Sequence, residues 1–399
     1  MMIVEKAGDR GRLVQDERGA YIPFNRPYLT GQEIDYLLEA HSSGVLAGDG
    51  QFTKRCNAWL ERSTGTAKAL LTHSCTAALE MGALLFDIRP GDEIIMPSYT
   101  FVSTANAFAL RGGVPVFVDV RPDTLNLDET LIEGAITSRT RAIVPVHYAG
   151  VGCEMDTIMA VASRHGLAVL EDAAQGTMAT YNGRPLGSIG TLGALSFHET
   201  KNVISGEGGA LLVNDPRLAD RAEVIREKGT NRARFFRGEI DRYTWEDIGS
   251  SFLPGEIVAA FLWAQLQRAR EITDLRLSLW ARYHRAFAAL EAQGIVRRPI
   301  IPSACEHNAH MYYILFAPNV DRETILKGLR ERGVRSVFHY VPLHSSPAGQ
   351  KFGRAHGPLP VTEDVAERLV RLPMWVGITP VDQDRVIREV ISLITESYK

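Results

Sequence analysis

The chain has 399 residues, enough for two domains with large cores. A hydrophobic content of 45%, a charged content of 23% and a formal net charge of -3 are ordinary for a globular protein and point to neither a nucleic-acid nor a membrane-surface partner. Cys56, Cys75, Cys153 and Cys305 stand far apart with no CxxC pair, and no stretch reaches about 18 uninterrupted apolar residues, so a cytoplasmic chain with free thiols and no membrane span is expected.

Residues 1–20 mix charges and lack the apolar core of a signal peptide, and read as a polar arm. Residues 31–41 carry a helical pattern, and 44–52 form a glycine-punctuated loop. The apolar run Ala69–Thr72 leads into Ser74-Cys75-Thr76-Ala77, a helix start with polar N-cap candidates. Strand-like runs at Glu93–Met96, Val114–Val120, Ala142–Val146 and Ala168–Leu170 alternate with helical stretches near 101–111, over 128–136, and around Met155, Ile158, Met159 and Ala162. Leu192–Phe197 and Ala210–Val213 flank His198-Glu199-Thr200-Lys201 and the turn Gly206–Gly209. Continuous apolar strands alternating with amphipathic helices predict an α/β fold, with a mostly parallel sheet covered on both faces in a large domain over 21–253. From Pro254 the texture changes. A long helical region over 255–292, strands at Met311–Phe316 and Val334–Tyr340, and a helix with Ile387, Val390, Ile391 and Ile394 on one face predict a smaller α+β domain over 254–399, joined by a long helix.

In open parallel sheets, ligands gather at the carboxyl edge of the strands. Three features fall there. Ser74–Ala77 at a helix N-terminus lets backbone N–H groups approach an anion. Asp172 ends a buried strand with Gln175 one turn on, and Lys201 follows another strand with glycines behind it. Taken singly, each has a plain structural explanation: an ordinary N-cap, a strand-end carboxylate capping the next segment, and a surface lysine in a glycine turn. Together, an anion cradle, a carboxylate and an amine make up the set that pyridoxal phosphate needs for its phosphate, its ring nitrogen and its aldehyde. Phe101 can stack on the ring, while Tyr99 reads as core. The chain has no GxGxxG, GxxxxGK[ST] or GxSxG motif. His198-Glu199 lacks the second His of a zinc-protease signature, and His147, His339 and His344 are scattered, so no metal site is expected.

The segments SCTAALEM (74–81), PSYTFVSTANAF (97–108), VPVHYAG (144–150), EDAAQG (171–176), SFHETKN (196–202), EKGTNR (227–232), DIGSSF (247–252) and VFHYVPLH (337–344) resemble, in this order, the DegT/DnrJ/EryC1/StrS family of sugar aminotransferases. The resemblance runs over essentially the whole chain from about Tyr21, and EDAAQG with SFHETKN is its most specific part. It implies a fold-type I pyridoxal-phosphate-dependent transferase in which Lys201 carries the cofactor and shuttles the proton. Asp172 would hold the ring nitrogen, Gln175 would lie against the phenolic oxygen, Cys75, Thr76 and Ser196 would bind the phosphate, and Phe101 would stack on the ring. Family members are homodimers with shared active sites, so the neighbour's Asp247–Ser251 loop, Ser251 included, would complete the phosphate site. Many members carry Asn at the position of Ser251, a basic residue at that of Leu253 and Gly at that of Cys75.

The implied reaction is transfer of the amino group of L-glutamate to a dTDP-4-keto-6-deoxyhexose. DIGSSF and EKGTNR resemble the branch that makes dTDP-4-amino-4,6-dideoxygalactose for polysaccharides such as enterobacterial common antigen. A 4-amino gluco or a 3-amino product is the alternative, as is pyridoxamine-phosphate-dependent sugar dehydration, whose enzymes commonly replace the lysine by His. Arg232 and the pair His339-Tyr340 are expected either to contact the nucleotide diphosphate or hexose or to be structural. The Gly206–Gly209 turn is expected to leave packing room behind the cofactor.

Overall fold

The computed structural model describes residues 21–397; the arm expected over 1–20 lies outside them. Its centre is an eight-stranded sheet of Lys68–Thr72 (β1), Glu93–Pro97 (β2), Val114–Val118 (β3), Thr140–Ile143 (β4), Ala168–Asp172 (β5), Leu192–Ser196 (β6), Gly209–Val213 (β7) and Arg354–Ala355 (β8). The spatial order is β1-β7-β6-β5-β4-β2-β3-β8. All neighbours are parallel except that β7 runs antiparallel to both β1 and β6.

Consecutive strand residues point to opposite faces, and each face is buried. Leu71, Ile95, Ile143, Val169 and Leu212 enter one core, while Leu70, Ile94, Ala142, Leu170 and Leu211 enter the other. This is why the strands read as unbroken apolar runs. Among the covering helices, Glu33–Ser42 (α1) and Gln51–Thr64 (α2) lie on the first side, and Cys75–Leu85 (α3) and Val102–Ala109 (α4) on the second. A three-stranded antiparallel sheet of Val296–Arg297, Tyr312–Phe316 and Leu369–Leu372 organises a further core that includes Tyr283, Phe287, Ile314, Leu329 and Val390.

Several expectations need correction. The stretch 255–292 is not one long helix but three, Glu256–Gln267, Ala269–Ala286 and Ala288–Ala292, broken at Arg268 and Phe287. The first packs with the large sheet: the Glu256 carboxylate accepts from the amides of Gly50, Phe52 and Thr53 at the start of α2, a helix the sequence reading passed over. Val334–Tyr340 forms no continuous strand. Its ladder reduces to single bridges, Val334 to Ile22 and Val337 to Arg371, because its polar side chains Ser336 and His339 interrupt the apolar alternation. Residues 128–136 hold only a 3₁₀ turn and one short helix. Finally, β8 comes from beyond Pro254 yet closes the edge of the large sheet, where Arg354 and Arg139 donate to the buried Glu93 carboxylate.

Candidate functional site

The cradle forms where α3 meets β7. Ser74 caps the helix by accepting from the Ala77 amide at 3.1 Å, and the Cys75 and Thr76 amides face out of the first turn. A Cβ on Gly209 would lie 2.4 Å from the Cys75 nitrogen, so only glycine lets β7 pass this close. Gly209 pairs with Ser196 across β6–β7, which brings the Ser196 hydroxyl to the same end of the sheet. The constraint in the glycine turn is therefore the approach to α3. Gly206 has open space around it and a φ of +80° instead. Thr76 Oγ1 shares a 2.7 Å hydrogen bond with Ser103 Oγ at the start of α4.

Asp172 ends β5. Its Oδ2 accepts from Thr104 Oγ1 at 2.7 Å and its Oδ1 from the Ala174 amide at 3.1 Å. Thr104 is oriented in turn by Thr100 Oγ1 at 2.9 Å. Lys201 sits in the tight turn after β6, its amide donating to the His198 carbonyl at 2.9 Å. Burial above all, with Arg371 adding to it, pulls the Lys201 ammonium below the ordinary lysine value against the opposing pull of Cys75 and Asp172. A lysine so placed is poised to supply a neutral amine. Burial and the Asp172 charge push the Cys75 thiol well up, so it is a protonated lining group rather than a nucleophile.

An aromatic shelf lies beside Lys201. Tyr99 is buried, as expected, with its ring 5.4 Å from those of both Tyr148 and Tyr340. His339 and Tyr340 stack at 3.6 Å, and Tyr148 Oη is 2.7 Å from His339 Nδ1. Gln175 accepts from the Ala149 amide at 2.7 Å and donates to Tyr340 Oη at 2.9 Å, keeping a second N–H on Nε2. Burial, Arg371, His310 and Lys201 hold His339 well below the usual imidazole value, so it is neutral. Phe101, at the N-cap of α4, is 52% exposed and presents its ring outside the core.

Two candidates stand apart from this group. Arg232 pairs with Glu227 at 3.0 Å and lies over the Phe236 ring at 4.7 Å. Ser251 is exposed and bridges to Glu227, while its neighbour Phe252 accepts from the His73 amide just ahead of Ser74. A hollow of about 270 Å³ near Arg232 is lined by mutually paired charges such as Arg221 and Asp247 and includes none of the residues around Lys201.

The sequence reading missed Thr104, Tyr148, His310 and Arg371. Thr104 and Tyr148 lie inside the quoted PSYTFVSTANAF and VPVHYAG segments, but only the fold shows that they orient Asp172 and His339. His310 Nδ1 lies 3.1 Å from the oxygen of Asn202, the residue after Lys201. Arg371 could have been flagged as a lone cation in the apolar run LVRLPMW. Among the described residues, no group of three His, Cys, Asp or Glu side chains can hold a metal, and no helix is long and apolar enough to cross a membrane. The four cysteines are free.

A family match spans residues 27–391. The chain belongs to the DegT/DnrJ/EryC1/StrS aminotransferase family. It is 34% identical over 389 residues to the spore coat polysaccharide biosynthesis protein SpsC of Bacillus subtilis, covering 95% of this chain and 98% of that protein. Among solved structures it resembles the aminotransferase TlmJ of Streptoalloteichus hindustanus, with 29% identity, a TM-score of 0.87, and 94% and 100% coverage of the two chains. The sugar aminotransferase Spr1654 of Streptococcus pneumoniae in its pyridoxamine phosphate form is 26% identical, with a TM-score of 0.87 and the same coverage. This chain is a pyridoxal-phosphate-dependent sugar aminotransferase of fold type I. Its own residues fit the cofactor. The Gly209 approach leaves the α3 amides bare for a phosphate, Asp172 keeps acceptor capacity, and Lys201 is held toward its neutral form.

Proposed function

We propose that this aminotransferase moves the amino group of L-glutamate to C4 of a dTDP-4-keto-6-deoxyhexose, giving dTDP-4-amino-4,6-dideoxygalactose and 2-oxoglutarate for a cell-surface polysaccharide. The observation that carries the transamination is the meeting of Lys201, Asp172 and the α3 N-terminus at one sheet edge. The choice of sugar rests on the resemblance of the EKGTNR and DIGSSF blocks, and the polysaccharide setting is supported by similarity to SpsC.

In this reading Lys201 holds the cofactor, the Cys75 and Thr76 amides with the Ser196 hydroxyl bind its phosphate, Asp172 holds the proton on its ring nitrogen, and Phe101 covers its ring. The spare N–H of Gln175 serves the phenolic oxygen. When bound, pyridoxal phosphate supplies an electron-withdrawing ring that stabilises negative charge on the carbon losing a proton. The protein supplies the rest. Thr104, itself held by Thr100, keeps Asp172 aligned, and the Tyr99–Tyr148–Tyr340 shelf excludes water. Lys201 carries the proton from the donor's Cα and returns one to sugar C4 from a single face, a positioned transfer of the kind that contributes about 10²–10⁴-fold. His339 and Tyr340 are the hexose contacts within this shelf, and Arg232 is the contact to the nucleotide diphosphate. The active unit is a homodimer in which the partner's Ser251 reaches the phosphate. The exposure of Ser251, Trp245 and Ile248 around that loop supports this arrangement.

The test is product NMR after incubation with dTDP-4-keto-6-deoxyglucose and L-glutamate. An axial C4 amine is expected. An equatorial amine, a 3-amino sugar or a dehydrated sugar would each overturn the assignment.

A further inference from the structure

Residues 307–310 connect Cys305–Glu306 to the strand Tyr312–Phe316, and they touch both turns that carry the proposed cofactor residues. Asn308 is 1% exposed and donates from Nδ2 to the Gln175 and Thr177 carbonyls, each at 2.8 Å. Its own carbonyl accepts from Asn202 Nδ2 at 2.8 Å, and Asn202 is the residue after Lys201. Because a carbonyl can only accept, Nδ2 is the Asn202 atom that faces Asn308, and Oδ1 faces His310 Nδ1 at 3.1 Å. That nitrogen therefore carries the imidazole proton. Both ends of the buried Asn202 amide are spent on this one segment. Arg276 holds the segment in turn, its Nε and Nη2 donating to the Ala309 and His310 carbonyls at 3.0 and 2.6 Å.

Stability alone does not account for this arrangement. Asn308 Oδ1 is buried without a hydrogen-bond partner among the described residues, which costs free energy. It lies in a notch at Gly150, where a Cβ would come within 2.0 Å of it. Ala149 and Ala309 flank the contact with left-handed φ values of +57° and +50°, a conformation that strains a residue with a side chain. The Ala149 amide also donates to Gln175 Oε1 at 2.7 Å. The β5–β6 ladder ends at Asp172, so beyond it the turns carrying Gln175 and Lys201 are not joined by strand pairing. Asn308 joins them instead. An apolar residue there would remove the orphan oxygen, but also the two N–H groups that grip the Gln175 turn.

We infer that Asn308 is a positioning residue for transamination, forming with Asn202 a brace that fixes the spacing between Lys201 and Gln175. This rests on the transamination reading above. In pyridoxal phosphate the aldehyde carbon and the phenolic oxygen sit on adjacent ring carbons. The nitrogen of a bound lysine and the oxygen served by Gln175 are then close enough to share a proton. A change in the spacing of the two turns changes how that proton is held, and how the Lys201 amine meets the donor's Cα–H.

The experiment uses full-length enzyme loaded with pyridoxal phosphate, as wild type, Asn308→Ala, Asn202→Ala and the double variant. Melting temperature is recorded with the pH midpoint of the visible absorbance of the lysine-bound cofactor. The rate at which saturating L-glutamate converts the cofactor to its amine form is measured in a single turnover. Asn308→Ala should move the midpoint by about half a pH unit or more and slow the saturated rate by about 10–100-fold. The half-saturating glutamate concentration should stay within about threefold. Asn202→Ala should shift both quantities the same way, and it carries the test if Asn308→Ala folds poorly. The double variant should go no further than the larger single one, because the brace is one series of contacts. A lower melting temperature with wild-type midpoint and rate would reduce Asn308 to packing and overturn the inference. Fully additive shifts in the double variant would overturn it too. A wild type without the visible absorbance would instead sink the functional reading, and the inference with it.

Discussion

Glu171 and Asp172 are consecutive residues at the end of β5, both buried, yet they are spent in opposite ways. Glu171 Oε1 accepts from the Ile189 and Gly190 amides, each at 2.6 Å, and Oε2 from the Gly187 amide at 2.9 Å. Its Oε2 also meets His147 Nε2 at 2.8 Å, and since His147 Nδ1 accepts from the Cys153 amide at 3.1 Å, Nε2 is the nitrogen that carries the proton. That carboxylate is saturated, and it ties the 187–190 turn to the sheet. Asp172, on the other face, takes one hydroxyl and one nearby amide and keeps acceptor capacity toward the Lys201 pocket. Burial and charge alone do not mark a functional carboxylate; unspent hydrogen-bonding capacity does.

The comparison can be broken at its strongest point first. Lys201→Ala should abolish turnover and the visible absorbance of the lysine-bound cofactor, measured by coupled detection of 2-oxoglutarate and by spectrophotometry. Residual transamination would remove Asp172 from any catalytic partnership. Next comes the pair itself. Asp172→Asn should lower kcat by about 10²–10⁴-fold with a melting temperature near that of wild type. Glu171→Gln should do the reverse, costing about 2–4 kcal/mol of stability by setting an NH₂ against backbone amides while kcat per folded molecule holds. Equal kinetic losses in both variants would erase the distinction.

A third buried carboxylate sharpens it at smaller amplitude. Burial works to raise the pKa of Glu93, but Arg354, Arg139 and Thr137 outweigh it and bring the value down to about 2. Its contribution is therefore present above the ordinary glutamate value of 4.5 and is lost as pH falls from there toward about 2. Thermal melts across that window should show a decline that Glu93→Gln flattens, with wild-type kinetics at neutral pH.

Much of this was legible beforehand, and the failures have physical causes. The parallel strands could be read because both faces are buried, which leaves continuous apolar runs. Ser74–Thr76, Asp172 and Lys201 could be read because each stands at or just past a strand end or at a helix start. The reversed direction of β7 was invisible, since an antiparallel strand buried on both faces carries the same pattern as its neighbours. Val334–Tyr340 misled because its β-branched and aromatic residues suit a strand, while the chain there makes only the isolated bridges of Val334 to Ile22 and Val337 to Arg371. Arg268 and Phe287 break the helical region without glycine or proline, leaving no local signal.

The reversed β7 also bears on how the enzyme is made and kept. Its hairpin with β6 joins segments close along the chain, whereas the β1–β7 pairing that seats Gly209 against α3 closes a long loop whose entropy must be lost before any contact repays it. Refolding enzyme should therefore regain helix content before it can capture cofactor. A phosphate bridging α3 and the β6–β7 hairpin would then staple distant stretches of chain together, binding the native state alone and protecting the enzyme against unfolding and proteolysis in proportion to cofactor supply.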